Sequence, residues 1–275
     1  MESQGFQLVK KKKAARPRSK QVIQNMVSSP QHNKCECLDK IQQARQIIET
    51  SEGHSNLKKN LDSIERELNT VLAPHQNITV SGIVCYGLGQ LSNSRIARYQ
   101  GALLLIIKDH FQVPTEVYDP IFSSVDVDVL ETLDIKVLNR NEEGKRKVVG
   151  TTLFFLPHCG KELYNNLLWT NWNPSLLSHC IIVGNSFSTI VQNVPTRILK
   201  EHYLFIYHAQ DMFKELPLTS LVNYDDVFND VNIHIPCHNI LNKCPEFWLE
   251  NKEPKYENCD IEIVRKKMSE IKVLS

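Results

Sequence analysis

The turn Gly87-Leu88-Gly89-Gln90 follows a short apolar run at residues 80–86, and Ser92 closes it. Glycines at this spacing suit a phosphate. Gly89 would let the backbone approach closely, and the helix start beyond it would offer N–H groups to an anion. The pattern is G-x-G-x-x-S. A dinucleotide fingerprint has a third Gly or Ala there, for close packing of helix on strand, and Ser92 is small enough to stand in. Asp119 lies 32 residues beyond Gly87, at the end of the next strand, where an acid would bond ribose hydroxyls. The intervening helix is long enough to absorb this extra spacing. The same residues also have an architectural reading. Gly-x-Gly after a strand makes a tight turn, and Asp119-Pro120 makes an Asx turn. Both readings stay open on the residues alone.

Further polar residues fall at later strand ends: His158 and Cys159, then Asn185 and Ser186. A nucleophilic cysteine needs a base beside it. Neighbours on a strand point to opposite faces, which disfavours His158 as the base for Cys159, and His179 for Cys180. Both cysteines read better as small buried residues beside the sheet. His32, Cys35 and Cys37 form one His/Cys cluster, and Cys237, His238 and Cys244 another. Neither has paired C-x-x-C spacing, so no structural zinc is expected. Axial haem ligation by Cys or His has no C-x-x-C-H motif behind it. No catalytic residue and no definite cofactor emerge. Gly87, Gly89, Ser92, Asp119, His158, Asn185 and Ser186 remain as a candidate binding set.

The elements that must position this set alternate. Strands are expected at residues 80–86, 115–118, 135–138, 151–156, 180–183 and 231–235, with helices at 93–111, 125–133, 161–169 and 187–193. Ser92 or Asn93 would cap the first of these helices. Several strands are apolar on both faces, so both faces must be covered. The fold class is therefore α/β, a Rossmann-like, mostly parallel sheet with helices on both faces. An α-helical segment precedes it. Leu57, Leu61, Ile64, Leu68 and Val71 step by four and three along one helix face, Gly53 breaks the segment in two, and Pro74 ends it. The expected organisation is a disordered basic arm at 1–34, a helical lead-in at 35–75, the α/β domain at 76–236 and a C-terminal tail at 237–275. Four strands deliver polar or turn residues to one edge of the sheet, where open α/β sheets bind ligands.

The chain has 275 residues and a net charge of +1. Residues 1–20 hold seven of its 32 Lys and Arg and one of its 31 Asp and Glu, leaving 25 and 30, a net of −5, for residues 21–275. The body thus offers no basic face to nucleic acid. Lys10 to Lys20 form a short basic arm that reads as a solvated tail or as a nuclear import signal. The longest apolar run, Ala102 to Ile107, is far too short to span a bilayer. No apolar stretch follows the basic residues, so a secretory signal is not expected. The eight scattered cysteines are read as reduced thiols of the cytosol or nucleus.

Taken together, Tyr86-Gly87-Leu88-Gly89, the helix Ser94-Arg95-Ile96-Ala97-Arg98-Tyr99-Gln100, Asp119-Pro120, Phe154-Phe155-Leu156-Pro157-His158-Cys159 and Gly184-Asn185-Ser186-Phe187 resemble the Sensitivity to Red Light Reduced family. The resemblance runs from about residue 78 to 235. It implies a regulatory protein rather than an enzyme, associated with input to the circadian clock and, in animals, with haem biosynthesis. The family supplies no catalytic residues to carry over. Protein partners are expected, without a membrane, and nucleic acid only through the basic arm. The alternative is a nucleotide- or S-adenosylmethionine-binding transferase using the strand-end cleft, with a small-molecule ligand.

Overall fold

A computed structural model describes residues 30–72, 78–222, 224, 227–237, 245–249 and 252–256. The basic arm up to residue 29 and the cluster partners His238 and Cys244 lie outside these residues.

Two helices lead in, α1 (Pro30–Glu49) and α2 (His54–Leu72). Gly53 divides them, as its place in the pattern predicts. Its backbone lies against the connection before the last strand, and a Cβ there would sit 2.3 Å from the Thr219 carbonyl oxygen. Leu57, Leu61, Ile64 and Leu68 all point into the core. Val71's side chain lies outside the described set. The lead-in starts at Pro30, so His32 is helical rather than part of an arm.

Among the described residues seven strands follow: β1 (Gly82–Tyr86), β2 (Thr115–Tyr118), β3 (Lys136–Val137), β4 (Thr152–Leu156), β5 (Cys180–Asn185), β6 (Phe213–Pro217) and β7 (Val231–Pro236). They form one sheet in the order β3-β2-β1-β4-β5-β7-β6. The first five are parallel, and β7 runs antiparallel to both β5 and β6. The intervening helices are α3 (Arg95–Phe111), α4 (Ser124–Thr132), α5 (Lys161–Thr170), α6 (Pro174–Leu177), α7 (Phe187–Asn193), α8 (Thr196–His202) and α9 (Leu204–Ala209).

Alternate strand residues feed two cores, because side chains alternate across a strand. Ile83, Cys85, Leu153, Phe155, Ile181 and Val183 pack against α1 to α4. Val84, Tyr86, Phe154, Leu156 and Ile182 pack against α5 and α7 to α9. This is the mostly parallel α/β sheet expected from apolar strands. Helix α3 is buried without interruption from Tyr99 to Ile107, because α1 covers the side turned away from the sheet. A helix apolar all round requires such double cover.

Helix α3 starts two residues later than its sequence pattern indicates. Ser94 is the N-cap and accepts from the Ala97 N–H, while the Ser92 N–H is bonded to Asp126. Strand β6 and helices α6, α8 and α9 have no counterpart among the expected elements. Parts of the expected tail pack on the domain. Trp248 lies 5.2 Å, ring to ring, from Trp172. Tyr256 is buried, accepting from Asn165 Nδ2 at 3.0 Å and donating to Asn166 Oδ1 at 2.9 Å. Among the described residues no helix is long and apolar enough to cross a membrane.

Candidate functional site

The strand order reverses between β1 and β4. Helix α3, after β1, packs on one face, and α5, after β4, packs on the other. That switch point is where an open α/β sheet leaves a crevice. A cavity of about 250 Å³ lies there, bordered by Gly87, Asp119, Ile121, His158, Cys159 and Leu163 among others. Larger hollows occur beside the β6–β7 connection and around Thr115 and Lys136. Neither gathers the candidate set.

The glycine turn is held by the protein's own anions. Gly87 (φ +69°) and Gly89 (φ +79°) both occupy the left-handed region that favours glycine. A Cβ on Gly87 would lie 2.6 Å from Cys159 Sγ, so the space beside this glycine is filled by a side chain of the same molecule. The Gly87 N–H donates to the Tyr118 carbonyl at 3.2 Å. The Gly89 N–H donates to Asp119 Oδ2 at 2.7 Å, and the Ile121 N–H to Asp119 Oδ1 at 3.0 Å. One step further, the Ser92 N–H donates to Asp126 Oδ1 at 2.8 Å, while Asp126 Oδ2 takes the Ser123 N–H and hydroxyl. Asp126 is fully buried and Asp119 nearly so. These are the backbone donors that a phosphate would seek at this loop, and two carboxylates already use them. The Asx-turn reading of Asp119 thus describes its Ile121 bond.

His158 and Cys159 lie in the turn after β4, not on the strand, so their separation does not follow from strand alternation. His158 is exposed and has φ +55°. Its N–H donates to Asn185 Oδ1 at 2.8 Å, and Asn185 Nδ2 donates to the Cys159 carbonyl at 3.3 Å. Asn185 therefore clasps the turn. His158 Nε2 lies 2.8 Å from the Val227 carbonyl. Cys159 is buried, with Sγ 3.2 Å from the Tyr86 carbonyl. Cys180 is fully buried, and burial pushes its thiol up, away from the thiolate a nucleophile needs. Cys37 faces the core beneath α1, where burial pushes it up to about 11, while Cys35 is exposed. Among the described residues no three potential ligands gather for a metal.

Ser186 faces away from the cavity. Its hydroxyl caps α7 and donates to Glu215 Oε2 at 2.7 Å. Ser188 and Asn232 also donate to Glu215. His234, the register partner of Glu215, is fully buried. Its Nδ1 lies 3.0 Å from the Ile182 carbonyl, and its Nε2 has no hydrogen-bond partner among the described residues. Burial holds His234 below its usual pKa, against the opposing pull of Glu215. Burial works to raise Glu215, but the Ser186 hydroxyl, the facing imidazole, the Ser188 N–H and Asn232 outweigh it and hold it low.

Both shifts have the same consequence. The unfolded chain protonates the histidine near pH 6.5 and the glutamate near pH 4.3, while the fold resists both. Stability is therefore full above about pH 6.5, falls as pH drops below it, and falls again below the glutamate range. Urea midpoints between pH 7.5 and 5.5 should decline for the parent chain. They should decline less for His234→Gln, which removes the His234 contribution and leaves that of His179, also held low by burial.

Of the seven candidate residues, Gly87, Asp119 and His158 border the cavity. Gly89 and Ser92 hold the turn, Asn185 supports His158, and Ser186 belongs to the Glu215 cluster. Asp126 and Glu215 lie outside that set. Ser123-x-x-Asp126 is a capping-box signature visible in the sequence. Glu215 has no such signal.

The family model of the SRR1 domain matches residues 39–235, which takes in most of the lead-in as well as the α/β domain. An SRR1-like protein of Mus musculus is 40% identical over 193 residues, 69% of this chain and 76% of that protein. An SRR1-like protein of Drosophila melanogaster is 27% identical over 175 residues, 63% of this chain and 60% of the fly protein. Protein Sensitivity to Red Light Reduced 1 of Arabidopsis thaliana is 32% identical over 152 residues, 54% of each chain. With the glycine turn, Asp119 and His158 all lying inside the matched span, the chain belongs to the SRR1 domain family.

Proposed function

We propose that this protein is a regulator rather than an enzyme. It acts in clock input and on clock-gene or haem-biosynthesis expression, through protein contacts of its α/β domain, in the cytoplasm and nucleus. The observation that carries the non-enzymatic reading is Asp119. Both oxygens of the carboxylate best placed for ribose hydroxyls are bonded to backbone N–H groups of its own molecule. The clock role is supported by family membership and by the red-light name of the Arabidopsis relative; the haem role is carried only by what the family resemblance implies. In cells lacking the endogenous protein, Asp119→Ala should impair a rhythm reporter only as far as it lowers the melting temperature. Loss of rhythm at an unchanged melting temperature would contradict the proposal.

A second reading is favoured by the cavity at the switch point: a small-molecule site for a nucleotide or S-adenosylmethionine. A ligand at a hundred times its Kd stabilises its target by about 2.7 kcal/mol. Thermal shifts with NAD(P), S-adenosylmethionine, ATP and haem separate the readings, because a scaffold should respond to none of them.

A further inference from the structure

Resting on that second reading, we infer that the strand-end cavity accepts an adenine nucleoside or its sulfonium derivative, a ligand without phosphate. The lining residues include no Lys or Arg, and their one acid is Asp119. A diphosphate would meet no Lys or Arg there and would meet the Asp119 carboxylate instead. The N–H groups of Gly89 and Ser92 already hold Asp119 and Asp126 at 2.7 and 2.8 Å. A phosphate would have to displace these internal anions or lie beside them, and like charges at such range repel. Cys159 Sγ closes the approach over Gly87.

The rest of the lining suits a flat, weakly polar ring. Tyr118, Pro120, Ile121 and Leu163 supply apolar surface, and Ile121 keeps 53% of its own surface open to solvent. One acceptor is defined by chemistry. His158 Nε2 faces the Val227 carbonyl at 2.8 Å, and a carbonyl only accepts, so in the neutral ring Nε2 carries the proton. Nδ1 is then the acceptor. A ring N–H or sugar hydroxyl suits that acceptor, and the lining holds no Lys or Arg to repel a sulfonium charge. Of the adenosine-bearing molecules that fit a strand-end crevice, those lacking phosphate match this lining.

The test uses the full chain, with calorimetric titration of adenosine, S-adenosylmethionine, AMP, ATP and NAD. Adenosine and S-adenosylmethionine should bind, and each added phosphate should weaken binding about tenfold, the effect of one uncompensated like charge at short range. Ile121→Lys, at a half-exposed position the fold tolerates, adds a cation to the mouth. It should strengthen AMP and weaken S-adenosylmethionine by about tenfold each. Binding of ATP or NAD as tight as adenosine would overturn the inference and leave the small-molecule reading standing. So would an Ile121→Lys variant with unchanged preferences. Binding of none of the five would overturn both.

Discussion

Asp126→Ala should destabilise the protein by about 3–5 kcal/mol, more than any other single truncation near the glycine turn. The Asp126 carboxylate is fully buried and accepts the backbone N–H of Ser92, the backbone N–H of Ser123 and the Ser123 hydroxyl. Each backbone donor left unpaired costs about 1–3 kcal/mol, and the lost capping box of α4 adds about 1 kcal/mol. The bond to Ser92 spans 34 residues, so the loss propagates from α4 into the loop that starts α3. Asp126→Asn keeps one acceptor oxygen and should cost less. Urea unfolding followed by circular dichroism measures both. A loss below about 1 kcal/mol for the alanine variant would mean that water replaces the carboxylate and that the turn needs no internal anion.

Gly184→Ala should cost about 3 kcal/mol or more. Gly184 lies in β5, and a Cβ there would meet Tyr164 Oη at 2.6 Å, Tyr164 Cε1 at 2.7 Å and the Leu156 carbonyl oxygen at 3.0 Å. Tyr164 is fully buried. Its hydroxyl donates to the Leu156 carbonyl and accepts from the Asn185 N–H, bridging β4 and β5 where their paired register ends at Leu156 and Gly184. The methyl group must displace either the ring or the strand. Tyr164→Phe takes the hydroxyl from the buried Leu156 carbonyl and the part-buried Asn185 N–H, about 2–4 kcal/mol. The double variant should cost less than the sum of the two, because removing the hydroxyl relieves one of the overlaps. Strict additivity by denaturant titration would show that the overlap lies elsewhere.

The parallel half of the fold was legible because its signals are local. Strands β1, β4 and β5 are short apolar runs ended by turn residues, and α3 has the length and apolar content of a buried helix. Strand β6 was not legible. Phe213–Pro217 places Lys214 and Glu215 beside a terminal proline, and among the described residues it lies at the sheet edge, paired with β7 alone. An edge strand needs no apolar run, and a proline is tolerated there. Short helices such as α8 and α9 lack the length for a periodic pattern. Tyr256 is buried by contacts with Asn165 and Asn166 about ninety residues away in sequence, and no spacing records such a contact.

The candidate site divides in the same way. Gly87, Asp119 and His158 meet at the cavity because strand ends in one parallel sheet meet, a consequence of topology that the order of elements carries. Nothing in the spacing says that Asp119 turns back on Gly89, or that Ser186 turns toward Glu215. Those partners depend on side-chain direction after the chain has folded. The expectation that His158 and Cys159 diverge as strand neighbours carried strand alternation past the strand's expected end at residue 156, which is where β4 does end.

The central claim is that the Asp119 carboxylate belongs to the turn and not to a ligand. The melting temperature of Asp119→Ala tests it most directly. Leaving the Gly89 and Ile121 N–H groups unpaired should cost about 2–3 kcal/mol, which for a domain of this size lowers the melting temperature by about 5–10 °C, with Asp119→Asn falling between. A melting temperature unchanged from the parent chain would contradict the claim and return Asp119 to the role of a ligand-binding group.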